Sequence, residues 1–236
     1  MRILLTTTCA LLAALVCTPA LPAEQTTSKA VLVTGASSGI GRKITEHLAA
    51  DGYLVYATAR KEEDLKALGA IKNVQPLRLD VTQPADIAAA VEAVTKAGHG
   101  LYGLVNNAGV ATFGTIATMR MEEFDLTMKV NVYGPVMMIK AFTPLIVAGK
   151  GRIVNIGSPS GITDGGGPDI AAYVMSKHAI EGLTDSLVLQ LGPSAFKSPR
   201  SNPALTDPTW TRTCSRASLK MRRRTCSRCG GRRRIQ

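Results

Sequence analysis

The stretch Thr34-Gly35-Ala36-Ser37-Ser38-Gly39-Ile40-Gly41 decides how this chain is read. Before it lies Ala30–Thr34, an apolar, β-branched run that suits a buried parallel strand. After it, Ile40, Ile44 and Leu48 recur through Ile40–Ala50 at the spacing of one helix face. Glycines between a strand and a helix let the backbone turn tightly and approach a pyrophosphate. The free N–H groups and positive dipole end of the helix then face the anion. Gly35, Ser37, Ser38, Gly39, Ile40 and Gly41 are the positions this reading gives to phosphate contact. A glycine-rich stretch alone also fits a plain tight turn; its place between strand and helix makes it specific.

Outward from this motif the alternation continues. Strands are expected over Tyr53–Ala57, Val74–Leu79, Gly103–Asn106 and Arg152–Ile156. Between them lie a short charged helix at Lys61–Leu68, a helix at Ala85–Ala97 and long helices at Met121–Ile146 and Ala171–Leu191. Short apolar runs alternating with amphipathic stretches predict an α/β fold, a doubly wound parallel sheet of the Rossmann type with helices on both faces. After Gly192 the pattern stops, so the last strands of such a sheet are expected to be missing.

The chain has 236 residues and a net charge of +11, which by itself suggests a nucleic-acid partner. The charge is not spread evenly. Ser194–Gln236 holds twelve Lys/Arg and one acid, Asp207; the rest has sixteen of each sign and is neutral. The basic character therefore says nothing about what the body binds. The cysteines divide likewise: Cys9 and Cys17 precede the body, Cys214, Cys226 and Cys229 follow it, and the body has none. The body thus has no thiol nucleophile, and the lone Cys226-x-x-Cys229 pair does not predict zinc. Residues 1–23 read as a signal peptide, with Arg2, an apolar run from Ile3 to Val16, and small residues before Glu24. The run is too short for a transmembrane span. Export to the periplasm or medium follows from that reading. An uncleaved anchor, or a start placed too early on a cytoplasmic protein, are the alternatives. Three parts result: 1–23, a dinucleotide-binding body at 24–193, and a basic tail at 194–236. The tail reads either as disordered or, given the abrupt change of composition, as the product of a reading-frame shift; the abruptness favours the second.

Two further features carry chemistry. The second strand leads into Ala59-Arg60 with no acid at its end, and Arg42 follows the glycine motif. An acid there would select NAD(H), whereas an arginine accommodates the extra phosphate of NADP(H) through its planar fork. Solvated helix-end charges are the plainer account of both. Tyr173 and Lys177 stand at i and i+4, on one helix face. A nearby ammonium favours a phenolate, bringing a tyrosine toward the range of a general acid or base. Ser158, after the fifth strand, could hold a substrate oxygen by hydrogen bond. A lone Tyr-x-x-x-Lys is usually a surface pair; its weight comes from the company it keeps.

That company resembles the short-chain dehydrogenase/reductase family. The resemblance rests on residues 34–41, Leu79-Asp80-Val81, Asn106-Asn107-Ala108-Gly109, Asn131, Ser158 and Tyr173–Lys177, in family order from about Lys29 to Leu191. It implies hydride transfer between NADP(H), or NAD(H), and a carbonyl or alcohol substrate. It implies a catalytic set of Asn131, Ser158, Tyr173 and Lys177. Asp80 and Val81 would meet the adenine side, and Asn107, Ala108 and Gly109 would stand beside the cofactor. Tyr173 and Lys177 would also touch it, with Lys177 on the nicotinamide ribose. Asn131 would interrupt its helix to hold a water. A homodimer or homotetramer, paired through the long helices, is implied in the same way.

Three departures stand out. Gly157-Ser158-Pro159-Ser160-Gly161 occupies the place of a frequent serine pair, which leaves Ser160 as a second candidate. The stretch Thr163–Asp169 is glycine-rich and long. The strand, Pro-Gly turn and substrate lid that the family carries after the Tyr/Lys helix are not legible after Gly192. Two other functions therefore compete with a working reductase. One is a catalytically dead, frameshifted remnant. The other is a binder of nucleic acid or anionic surfaces through the tail, which lacks the aromatic interleaving such binders use.

Overall fold

The computed structural model describes residues 29–163 and 167–194, the last three of these by backbone alone. The signal-like segment and the basic tail, with Cys9, Cys17, Cys214, Cys226 and Cys229, lie outside the described residues.

Five strands form one parallel sheet: β1 (Ala30–Val33), β2 (Leu54–Ala59), β3 (Val74–Arg78), β4 (Gly103–Asn106) and β5 (Arg152–Asn155). Their order is β3-β2-β1-β4-β5. The helices are α1 (Gly39–Ala50), α2 (Glu62–Gly69), α3 (Pro84–Ala97), α4 (Met121–Met128), α5 (Gly134–Ala148) and α6 (Ala171–Ser194). The chain builds outward from β1 to β3, then returns to place β4 on the other side of β1. This reversal opens a crevice above the carboxyl ends of β1 and β4, where doubly wound folds take their ligands.

Alternation along β1 explains the two layers. Leu32 joins Tyr56, Leu104, Met138 and Phe142 in one core, on the side of α3 and α5. Val31 and Val33 join Val55, Ala57 and Leu68 on the other side, with α1 and α2. Successive strand residues point to opposite faces, so a central strand covered twice must be apolar throughout.

The helix expected over Met121–Ile146 is present, with an interruption. α4 and α5 are separated by a π-helical turn at Lys129–Tyr133, which holds Asn131. A π turn inserts an extra residue into the helical ladder, and such insertions favour functional positions. Gly134, which begins α5, sits so close to Val81 that a Cβ there would lie 2.8 Å from Val81 Cγ2. The stretch Met121–Ala148 is long and apolar enough by length and composition to cross a bilayer. Its Met138, Ile139, Phe142 and Ile146 are instead buried in the sheet's core.

Candidate functional site

All five strands deliver a sequence-predicted residue to the same end of the sheet. The glycine motif follows β1, Arg60 follows β2, Asp80 lies just past β3, Asn107 follows β4, and Ser158 lies just past β5.

The loop after β1 is fixed from three sides. Thr34 Oγ1 accepts hydrogen bonds from the Asn107 and Ala108 amides at 2.9 and 3.0 Å. Asn107 Nδ2 donates to the carbonyls of Thr34 and Gly35 at 2.9 and 3.0 Å. Thr58, fully buried on β2, accepts from the amides of Gly35 and Ala36. Gly35 has a left-handed φ of 64°, and a Cβ there would come within 2.9 Å of the Ala108 backbone. A Cβ on Gly41 would collide with the Asn107 side chain and the Gly35 carbonyl. At Gly39, by contrast, a Cβ would meet nothing within 4 Å, so the space above the loop is open.

This arrangement fits a dinucleotide. Ser38 begins α1 without using its side chain as a cap, and the first turn carries no acid, so the helix's leading N–H groups are free of a side-chain cap. An anion is the natural partner for such a terminus. Ser38, Gly39 and Ile40 are exposed, and Ser37 is half-buried.

The charged residues that follow β2 and β3, and Arg42 on α1, are already engaged in ion pairs. Arg60 lies 3.8 Å from Asp80, and Arg42 pairs with Glu46 at 2.8 Å. Burial pushes the Asp80 carboxyl up, but hydrogen bonds from Thr82 and the charges of Arg60 and Arg78 outweigh it. The group is held below the usual carboxylate range. Val81 is buried in the core on the α3 side.

On the other side of the crevice, the 2 %-exposed Asn131 accepts from the Val110 amide and donates to the Val110 carbonyl, both at 2.8 Å. It also donates to Ser176 Oγ at 3.0 Å, and Ser176 donates to the Tyr173 carbonyl at 2.7 Å. Gly109, next to Val110, is exposed at the crevice side of this network. Lys177 is 7 % exposed; its Nζ donates to the Ile156 carbonyl at 2.7 Å and lies 5.7 Å from the Tyr173 ring centre. Burial pushes its pKa down, and the Glu181 carboxylate opposes that shift. Ser158 begins a short 3-10 turn at Pro159–Gly161, and its Oγ accepts from the Ser160 amide at 3.2 Å. Ser160 thus supports Ser158 through its backbone.

Sequence reading missed four parts of this site. Thr34 read as a strand residue, Thr58 as part of the lead from the second strand to Arg60, and Ser176 as the filler between Tyr173 and Lys177. Their side chains nevertheless carry hydrogen bonds that fix the crevice. The fourth is Glu181, one further helical turn beyond Lys177. It stands against Gly157, where an added Cβ would collide with its carboxylate. The Lys177–Glu181 spacing was visible as an i, i+4 pair; nothing in the sequence marked the other three.

Comparison with known proteins agrees with this geometry. Residues 29–217 match the short chain dehydrogenase family. The chain is 33% identical over 185 residues to mitochondrial D-beta-hydroxybutyrate dehydrogenase of Mus musculus, covering 74% of this chain and 53% of that protein. It is 36% identical over 180 residues to a 3-alpha-(or 20-beta)-hydroxysteroid dehydrogenase of Mycobacterium bovis, covering 75% of this chain and 68% of that one. Among solved structures, a metagenomic short-chain oxidoreductase in complex with NADP superposes with a TM-score of 0.64 at 36% identity. That match covers 69% of this chain and 76% of the other. A short-chain dehydrogenase/reductase of Burkholderia phymatum in complex with NAD gives a TM-score of 0.67 at 28% identity, covering 71% and 61%. The chain spans about half the length of the first curated relatives it matches. With its five-stranded parallel sheet, its glycine loop and its Tyr/Lys helix in family order, the chain belongs to the short-chain dehydrogenase family.

Proposed function

We propose that the body binds NADP(H) in preference to NAD(H) and interconverts a carbonyl and an alcohol. One observation carries this reading. Hydrogen bonds and short chain steps run from Gly35 through Asn107 to Val110, and on through Asn131 and Ser176 to Tyr173. The phosphate-facing loop and the proton-carrying tyrosine are therefore parts of one rigid frame.

When bound, the nicotinamide ring supplies or accepts the hydride. The protein's residues handle the rest. Ser158 donates a hydrogen bond to the substrate oxygen. Tyr173 gives that oxygen its proton in reduction and removes it in oxidation. Lys177 places a buried positive charge beside the phenol, which favours its ionised form. The ammonium would exchange its bond to the Ile156 carbonyl for ribose hydroxyls. Arg60, 69% exposed at its side chain and free to leave Asp80, is the residue that meets a 2′-phosphate. A dimer or tetramer through α4, α5 and α6 accords with apolar side chains left exposed there, Leu126, Val136 and Met175, and with Tyr133 in the π turn between α4 and α5.

The test is NADPH binding by fluorescence enhancement, with NADH and Arg60→Ala as comparisons, followed by a carbonyl screen with Tyr173→Phe. Binding that weakens on Arg60→Ala, with turnover lost in Tyr173→Phe, supports the reading. Equal affinity for both nucleotides in the parent chain removes the NADP(H) preference.

A second reading rests on the state of β5. Its outer side carries no strand among the described residues, so the catalytic half is less covered than the cofactor half. A chain that binds NADPH without turnover with any carbonyl would be a remnant with an intact cofactor cradle.

A further inference from the structure

A line of hydrogen bonds between uncharged side chains joins β4, β5 and α6. Asn106 Nδ2, at the end of β4, donates to Asn155 Oδ1, at the end of β5, at 2.9 Å. Asn155 Nδ2 donates to Thr184 Oγ1 on α6 at 3.0 Å, and Thr184 Oγ1 donates to the Ile180 carbonyl at 2.8 Å. The line has one direction. Thr184 gives its proton to Ile180 and so accepts from Asn155, whose Oδ1 then faces Asn106. Asn106 is 5% exposed, and its Oδ1 is buried without a partner among the described residues. A buried oxygen left in this way costs stability, whereas apolar side chains at the same positions would not. What the line supplies is register between strand and helix.

That register matters at Ser158. Asn155 stands just before the loop that carries it, and Thr184 stands two helical turns beyond Lys177, on the same face of α6. The loop runs back along that face. Ile156 offers its carbonyl to Lys177 Nζ at 2.7 Å. A Cβ on Gly157 would come within 2.4 Å of Glu181 Oε1, and one on Gly161 within 2.8 Å of the Lys177 carbonyl oxygen. The turn bearing Ser158 therefore meets α6 through two glycines, which fit closely but grip nothing. Of the side-chain bonds that tie this segment to α6, the one from Lys177 yields when the ammonium turns to ribose hydroxyls. The Asn155–Thr184 bond stays.

We propose that Thr184 is a positioning residue of the proton-transfer site. Through Asn155 it fixes the height of the Ser158 segment along α6, and so sets Ser158 against Tyr173. This rests on the roles proposed above for Ser158 and Tyr173.

Thr184→Val keeps the shape of the side chain and removes the hydroxyl, whereas Thr184→Ser keeps the hydroxyl. In Thr184→Val, kcat for a carbonyl substrate should fall about tenfold at unchanged NADPH affinity, because a small misplacement of a catalytic group is felt in rate. Thr184→Ser should retain the parent rate. In a Ser158→Ala background, Thr184→Val should change kcat by less than about twofold, since the residue it places is gone. Losses that multiply across the two sites, a fall in NADPH affinity, or an unchanged kcat in Thr184→Val overturn the proposal.

A second measurement needs neither turnover nor nucleotide. Lys177 is 7% exposed beside this segment. Its acetylation by acetic anhydride, mapped by mass spectrometry on the folded chain, should be about fivefold faster in Thr184→Val than in the parent or in Thr184→Ser, as the segment loosens. A parent chain without carbonyl turnover defeats the function proposed above, and the labelling then decides the placement. Faster labelling in Thr184→Val alone supports it; equal labelling in all three chains overturns it. Should Thr184→Val fail to fold, Gly161→Ala, which must lift the turn from the Lys177 carbonyl, takes its place in both measurements.

Discussion

β1 and β5 are both four-residue parallel strands, yet their surroundings differ in every respect that matters to the site. β1 has a strand on each side and an apolar layer on each face, and its four residues are all buried. Among the described residues β5 has one strand neighbour, and its own residues are half-buried or exposed. The loop after β1 is locked by Thr34, Thr58 and Asn107. The loop after β5 is held by the short Ser158–Ser160 bond and by Lys177 on the Ile156 carbonyl. A strand's own residues do not decide how firmly the following loop is positioned; the neighbours do. The β1 side of the crevice is therefore held by its own neighbours, whereas the β5 side has less such support among the described residues.

The largest contrast should appear in the strands themselves. Leu32→Ala, fully buried in β1, is expected to cost about 3 kcal/mol in urea unfolding, through lost burial and the cavity left behind. Val154→Ala on β5 should stay within about 0.5 kcal/mol. Comparable losses at the two sites would break the comparison, because they would mean that β5 is covered in solution.

Next in size is Asn107→Ala. It removes two hydrogen bonds to the glycine loop and leaves the Thr34 and Gly35 carbonyls without that donor, for about 2 kcal/mol. NADPH affinity should fall with stability, since the same side chain shapes the cradle. A variant that loses stability but keeps its affinity would show that the loop is held by Thr34 and Thr58 alone.

Much of this was legible in the sequence. Strand–helix alternation and the glycine motif specify both the parallel sheet and the crevice, because a twice-covered strand must be apolar and a phosphate loop needs small residues. Arg60, Asp80, Asn107 and Ser158 all arrive at the expected end of the sheet. The resemblance points to an interruption of the long helix at Asn131; its form, a π turn over Lys129–Tyr133, could not be read. Nor could the roles of Thr34, Thr58 and Ser176 be read. A buried hydroxyl and an exposed one are the same letter, and only tertiary contact tells them apart. Glu181 was hidden for a related reason, as its meaning depends on Gly157, 24 positions away and on a different element.

The catalytic side gives a smaller, pH-dependent effect. Burial lowers the Lys177 pKa below its ordinary 10.5, so the folded state holds that proton less tightly than the unfolded chain. The penalty is present in full at neutral pH. It is relieved as pH rises through the folded value toward 10.5, and stability gains from that group over the same window. Lys177→Met should remove this component, so the difference in Tm between parent and variant should shrink from pH 8 to pH 10. A difference constant across that range would mean that the Ile156 bond compensates the buried charge.

The smallest effect concerns Glu181, where the signs reverse. Burial raises its carboxyl above the usual 4.5, helped by the Asp185 charge and opposed by Lys177 and His178. For an acid raised on folding, the folded state binds the proton more tightly. The stability cost is absent below about pH 4.5 and is complete once pH exceeds the folded value. Glu181→Gln should therefore raise Tm at pH 7 and leave it unchanged at pH 4. Solvent screening at this half-buried site keeps the gain below about 1 kcal/mol. Gly157 sharpens the point, because the carboxylate rests against a residue with no side chain to share the space. A loss of Tm in Glu181→Gln at pH 7 would reverse the assignment. It would show that the attraction to Lys177 exceeds the cost of burial, and that the carboxylate holds the ammonium in place on the less covered side of the crevice.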